Sequence, residues 1–191
     1  PFPPIPAPAL SGESDPTGSE RGLGIPTVFS GGPTADAFVA RWEATITGLS
    51  AAERTLVGRG SYLINASGDC NGCHTDTNPD GFFDNGLLSG TFDVNPDRYL
   101  AGGVNLGALF GLPFQINSRN LRPHPETGLK LTEQQFIESL RFGADFRRPV
   151  GSLRVQPHFP SEFHMTLDDL KAIYAFLKRI PPIENEVTIT P

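Results

Sequence analysis

The chain has 191 residues, 38% of them hydrophobic and 19% charged, which suits one domain with a real core plus an extension. Its formal charge of −6 argues against nucleic acid, whose phosphates demand a basic surface. No apolar run approaches the roughly 20 residues that span a bilayer, so no membrane span is expected. Glycine and proline, 21 and 19 residues, predict much loop and few long regular elements. Two cysteines are too few to staple a disulfide scaffold. The sequence begins at Pro1 rather than Met, as a processed mature protein can, which is compatible with a removed export signal.

Residues 1–35 read as an extended, Pro/Gly-rich arm, because proline fixes φ, removes amide donors and leaves no helical or alternating period. Such an arm either hugs the surface or docks on a partner or a second copy, where Phe2, Ile5, Leu10, Val28 and Phe29 would gain from burial. From Thr34 the texture changes. Phe38, Val39, Trp42 and Ile46 recur at helical spacing and predict a helix over 35–48. Ser50-Ala-Ala-Glu53 is a capping-box pattern that opens a second helix, running to about Ala66.

Directly after that helix stands Cys70-Asn-Gly-Cys73-His74. Two thiols at this spacing can each add across a haem vinyl group, and the adjacent histidine then lies where its imidazole can bind iron. The rival readings are weaker. A thioredoxin-like pair needs a βαβ context that is absent, and a zinc site needs further ligands at matching spacing, with no other cysteine in the chain. The motif therefore predicts one covalently attached haem c, with its iron, held by Cys70, Cys73 and His74.

Residues 75–130 should be mostly loop. Two later helices announce themselves. Thr132 with Gln135 forms a capping box, Leu131 can staple onto Phe136, and the helix should end at Gly143. Thr166 with Asp169 repeats the grammar, with Met165 in the staple position against Leu170; this helix runs to about Arg179, before Pro181-Pro182. The chain thus divides into an arm (1–35), a mostly α domain (36–184) and a short tail (185–191).

Several stretches resemble a known family. Gly60 through Cys70 is similar to the first helix and haem loop of class I c-type cytochromes. Tyr99-Leu-Ala-Gly-Gly103, Ser118-Arg-Asn-Leu121, Glu126-Thr-Gly128 and Met165 through Leu177 are similar to a bacterial group, the cytochrome subunits of membrane-bound alcohol and gluconate dehydrogenases. The resemblance covers roughly residues 54–184 and implies a class I cytochrome c fold with long loops, export, haem attachment outside the cytoplasm, and electron transfer to other redox proteins. It also implies that Arg119 and Asn120 could hold a haem propionate, and that Tyr174 packs the last helix across the first. Leu106, Leu109, Phe110, Leu112 and Phe114 are candidate pocket walls, and His124 reads as an exposed loop residue.

The sixth iron ligand is the open choice. Relatives carry a Met-Pro-aromatic triplet before the Thr that caps the last helix, whereas here the stretch reads Val155-Gln-Pro-His158-Phe159 with an extra residue. Gln156 stands where methionine is expected. His158 has the loop length of the usual ligand and is the first candidate; Met165, the chain's lone methionine, is the alternative, and His164 a minor one. A filled sixth position makes an electron carrier or cytochrome subunit. Two other readings compete with it: a structural building block joined to other copies or subunits through the arm, and a peroxidase-like haem enzyme with an open site.

Overall fold

A computed structural model describes residues 33–68, 70–75, 96–146 and 164–188. The described residues are helical, with no strand among them. The elements in chain order are α1 (Pro33–Ile46), α2 (Ala51–Tyr62), a π-helical turn (Leu63–Ser67), α3 (Cys70–His74), α4 (Leu106–Leu109), α5 (Glu133–Phe142) and α6 (Leu167–Leu177). Among them no helix is long and apolar enough to cross a membrane. Residues 1–32 of the expected arm lie outside the described residues, and so do Gln156 and His158. Pro33 opens α1, where a missing amide costs nothing and its fixed φ suits the first turn; the helix therefore starts inside the stretch expected to be arm.

The predicted caps are present. Ser50 Oγ accepts from Glu53 N while Glu53 Oε2 accepts from Ser50 N at 2.9 Å. The same reciprocal pair joins Thr132 and Gln135, and Gly143 closes α5 in the left-handed region at φ 65°. Thr166 accepts from Asp169 N at the start of α6. The Asp169 carboxylate also meets Arg59 of α2, with Nη2 to Oδ1 at 2.8 Å. Those hydrogen bonds, Arg59 first and Thr166 next, hold it below the usual carboxylate range.

α2 and α6 form the frame. Their backbones come so close that a Cβ on Gly60 would stand 2.0 Å from the carbonyl oxygen of Ala172 and 2.8 Å from Phe176 Cβ. Glycine is thus a packing requirement at this crossing. α1 covers it, with Trp42 tilted against Phe176 at 5.2 Å between centroids. Phe38, Ile46, Val57, Ile64, Leu170, Ile173 and Leu177 are among the residues buried in the same core. Tyr174 differs from expectation. Its contacts join α6 to α5, since the ring lies 5.5 Å from Phe136 and the hydroxyl donates to Leu131 O at 2.9 Å.

The loops are organised by one buried cation. Arg122 is 1% exposed. Its Nε donates to Pro181 O at 2.6 Å and its Nη1 to Pro96 O at 3.1 Å, while the guanidinium lies 5.3 Å from the Phe38 ring centroid. Burial lowers its pKa to about 10. Carbonyl dipoles and an aromatic face thus stand in for the lost water. His124 nearby is half-buried, and its Nδ1 accepts from the amides of Glu126 and Thr127. It structures the turn, where the sequence suggested an exposed loop position. Gly128 completes that turn, since a Cβ there would stand 2.1 Å from Arg122 O.

Two measurements test this packing. Gly60→Ala should lower the unfolding free energy by about 3 kcal/mol, the upper range for overpacking, because the obstacle is backbone; an unfolding free energy from denaturant titration within ~0.5 kcal/mol of the parent's would refute the close crossing. Tyr99, fully buried, donates to Asn65 Oδ1 at 2.8 Å. Burial pushes its hydroxyl well above the usual tyrosine range, opposed in part by that hydrogen bond. Because the folded pKa is the higher one, this stabilisation is complete below pH ~10 and declines above it, by up to ~1.4 kcal/mol per pH unit. Tyr99→Phe should therefore give a flatter alkaline stability curve, and a slope identical to the parent's would contradict the assignment.

Candidate functional site

The site is built where the first long helix runs out. α2 continues into the π-helical turn, whose wider spiral ends as Gly68 N donates to Leu63 O at 2.6 Å. Single π turns concentrate at functional positions because they re-aim the chain as it leaves the helix. Here the turn delivers the chain into α3, the five residues Cys70–His74. Neither cysteine is in a disulfide, and both are partly exposed.

The far end of the motif is fastened to two distant loops. Thr75 donates its hydroxyl to the Asn71 side chain and accepts from Leu100 N at 2.9 Å. Gly102 N donates to His74 O at 2.7 Å, and Gly103 N donates to Ser118 O at 2.9 Å. Thr75 and Gly102 pair as an isolated parallel bridge. The turn that makes this possible holds three residues at positive φ: Leu100 at 54°, Gly102 at 74° and Gly103 at 104°. Leucine in that region is strained, at a cost on the order of 1 kcal/mol, and persists because full burial and hydrogen bonds over-determine it.

The central contact is the imidazole of His74, whose Nδ1 lies 2.8 Å from the carbonyl oxygen of Arg119. A carbonyl can only accept, so Nδ1 carries a proton, and in the neutral ring Nε2 is then the lone-pair nitrogen. Gly102 permits this geometry, for a Cβ there would stand 2.4 Å from Arg119 C, 2.5 Å from Arg119 O and 2.6 Å from Asn120 N. A partly exposed imidazole with a fixed donor nitrogen, next to two cysteines outside any disulfide, is a donor set that fits a covalently attached haem. The carbonyl partner is the outer-shell device that orients and strengthens a ligating histidine.

The other expected site residues have defined places. Arg119 turns its guanidinium to Asp145, with Nη2 to Oδ2 at 2.7 Å, in a pair whose side chains are 15% and 1% exposed. Asn120, 1% exposed, gives its amide to Ile183 O at 3.0 Å and accepts from Arg122 N at 2.9 Å. Both side chains are thus engaged in fixing loops. Met165 packs half-buried against the core. Its Cε and Cys70 Sγ stand 3.5 and 3.4 Å from the point a Gly68 Cβ would occupy, and Arg141 Nη2 donates to its carbonyl at 3.0 Å. His164 is exposed. Of the candidate wall residues, Phe110, Leu112 and Phe114 are 57%, 39% and 56% exposed, and Leu106 is half-buried.

Sequence reasoning missed Gly102, Asp145 and Arg122. The paired glycines of Tyr99-Leu-Ala-Gly-Gly103 were a visible signal of unusual φ. Asp145 carried no local signal, because its partner is 26 residues away.

No family model matches the chain. Similar curated proteins exist. The cytochrome c subunit of the quinone alcohol dehydrogenase of Gluconacetobacter polyoxogenes is 30% identical over 134 residues, 69% of this chain and 24% of that protein. The same subunit from Komagataeibacter europaeus matches to the same extent. That of Gluconobacter oxydans (strain 621H) is 31% identical over 129 residues, 66% of this chain and 24% of its own length. The chain spans about a quarter of the length of these relatives, and over about two thirds of its own length it has weak homology to cytochrome c subunits of a dehydrogenase.

Proposed function

We propose that the chain is an electron carrier, or the cytochrome subunit of a redox complex, working through a single haem c attached to Cys70 and Cys73 and ligated by His74. The observation that carries this is the Nδ1 contact of His74 with the Arg119 carbonyl at 2.8 Å, which in the neutral ring leaves the other nitrogen as an electron-pair donor. The similarity to cytochrome c subunits of quinone alcohol dehydrogenases supports the same reading. The group would supply a one-electron ferric/ferrous couple. The chain's own residues hold the imidazole at one tautomer, present the thiols at the surface, and fix the supporting loops through Gly102, Arg119 and Arg122. The protein chain itself carries out no substrate chemistry in this reading. Its location is the periplasm or cell exterior, and its partners are other redox proteins that meet an acidic surface.

For the sixth ligand the reading takes His158. Met165 has an apolar packing role in the structure, with its methyl against Gly68 and its carbonyl pinned by Arg141. A second imidazole gives a lower potential than a thioether, and it is released by acid as the ring protonates.

The tests are direct. The chain expressed with a haem-attachment system should keep its haem absorption through denaturation and organic extraction, whereas Cys70→Ala with Cys73→Ala should lose all of it. Retention of haem by that double variant, or none on the parent, would sink the proposal. A sulfur-to-iron charge-transfer band in the ferric protein would replace His158 by Met165. Ready carbon monoxide binding by the ferrous protein would mark an open site and turn the carrier into a haem enzyme.

A further inference from the structure

We propose that Asp145 is a positioning residue for the iron-binding imidazole, acting on His74 through Arg119; the inference rests on the reading of His74 as an iron ligand. Arg119 does two things at once. Its carbonyl receives the His74 Nδ1 proton at 2.8 Å, and its guanidinium is held by Asp145 at 2.7 Å. Asp145 is a fixed anchor, 1% exposed and two residues beyond Gly143, which closes α5 in the left-handed region. Ser139 Oγ donates to Ala144 O at 2.8 Å and fastens the intervening residue back onto the helix. On its other side the Arg119 peptide abuts Gly102, with no room for even a methyl group between them. The carbonyl is therefore trapped between a glycine surface and an arginine tethered to a helix end.

Release of the tether has a defined consequence. Without the Arg119–Asp145 pair, whose side chains are 15% and 1% exposed, the Arg119 peptide loses its tether to the end of α5 and keeps the Gly102 surface on its other side. The carbonyl then leaves the line of the Nδ1–H bond. That bond makes the imidazole a stronger donor at Nε2, and a stronger donor favours the ferric over the ferrous ion. A slack bond therefore raises the reduction potential. Charge alone confuses single substitutions, because removing the acid raises a nearby potential and removing the base lowers it. Arg119→Met together with Asp145→Asn removes both charges and leaves no donor for the new amide, so its effect on the haem comes through the imidazole.

The measurement is made on the haem-loaded full chain. For Arg119→Met with Asp145→Asn, the expected result is a preference for ferric over ferrous iron weakened about tenfold, the effect typical of lost outer-shell partners. That is an upward shift of ~59 mV for a one-electron couple. The His74 Nδ1 proton, followed by nuclear magnetic resonance in the ferrous protein, should exchange at least about tenfold faster than in the parent. A folded, haem-loaded double variant with unchanged potential and unchanged proton exchange would overturn the assignment and leave Asp145 a stabilising residue only. If the double variant does not fold, Asp145→Asn alone decides by proton exchange: acceleration of at least about tenfold, more than loss of one charge gives in screened solution, supports the assignment, and anything less overturns it. Absence of covalent haem on the parent would instead strike at the haem reading, so the two failures are told apart.

Discussion

The hydrogen bond between the His74 imidazole and the Arg119 carbonyl joins residues 45 apart in sequence, and much of the loop architecture exists to let them meet. A carbonyl can reach an imidazole this way only if two stretches of backbone run nearly in contact. Gly102 provides the contact surface, and the strained turn around Leu100 provides its direction. Thr75 then locks the end of the cysteine motif to the same turn by a hydroxyl that donates to Asn71 and accepts from Leu100. The helices contribute at one remove. The α2–α6 crossing at Gly60 fixes where α2 ends, and so where the π turn releases Cys70–His74.

A domain with so much proline and glycine leaves many backbone carbonyls without helical partners, and each needs a donor if it is buried. Arginine side chains answer part of that need here, and Arg119 adds a carboxylate pair. Arg122 gathers the carbonyls of Pro96 and Pro181, which brings the loop before Tyr99 beside the segment after α6. Arg141 reaches from α5 to the Met165 carbonyl just before the Thr166 cap. Arg119 uses its own carbonyl for His74 and its side chain for Asp145. Guanidinium suits this work because it carries five donors in a planar fork and remains charged when buried. The desolvation of each cation is a large cost, offset by several aligned dipoles or, for Arg119, by a full carboxylate.

The parts that were legible in the sequence are those whose physics is local. Ser50 with Glu53, and Thr132 with Gln135, satisfy amides within one turn, so the residues alone locate the helix starts. Gly143 ends α5 because only a left-handed residue fits there. The spacing of Cys70, Cys73 and His74 is likewise a short-range constraint. Arg119 and Asn120 were visible as residues of interest, but not in the roles the structure gives them, because Asp145 and Ile183 are brought to them only by the tertiary fold. Arg122 was hidden more deeply. An arginine in a proline-rich stretch reads as surface, and nothing near it in sequence announces the Phe38 ring and two distant carbonyls that surround it. The continuation of α2 into a π turn also left no mark, since the residues Leu63–Ser67 have ordinary helical character.

The same tightness suits the proposed role in electron transfer. An imidazole free to rotate would reorganise whenever the charge on its metal changed, and each reorganisation slows the exchange of an electron. His74 is restrained along its ring by the Arg119 carbonyl and along its backbone by Gly102 N on its own carbonyl, so both ends of the residue are held by the loops that face it. Those loops are tied in turn to α5 through Asp145 and to the segment after α6 through Asn120 and Arg122. A carrier needs this arrangement more than a substrate-binding enzyme does, because its chemistry is a change of charge with as little movement as the surroundings allow. In the proposed carrier role the residues that give the site its stiffness would be part of its function, although none of them but His74 would touch the metal.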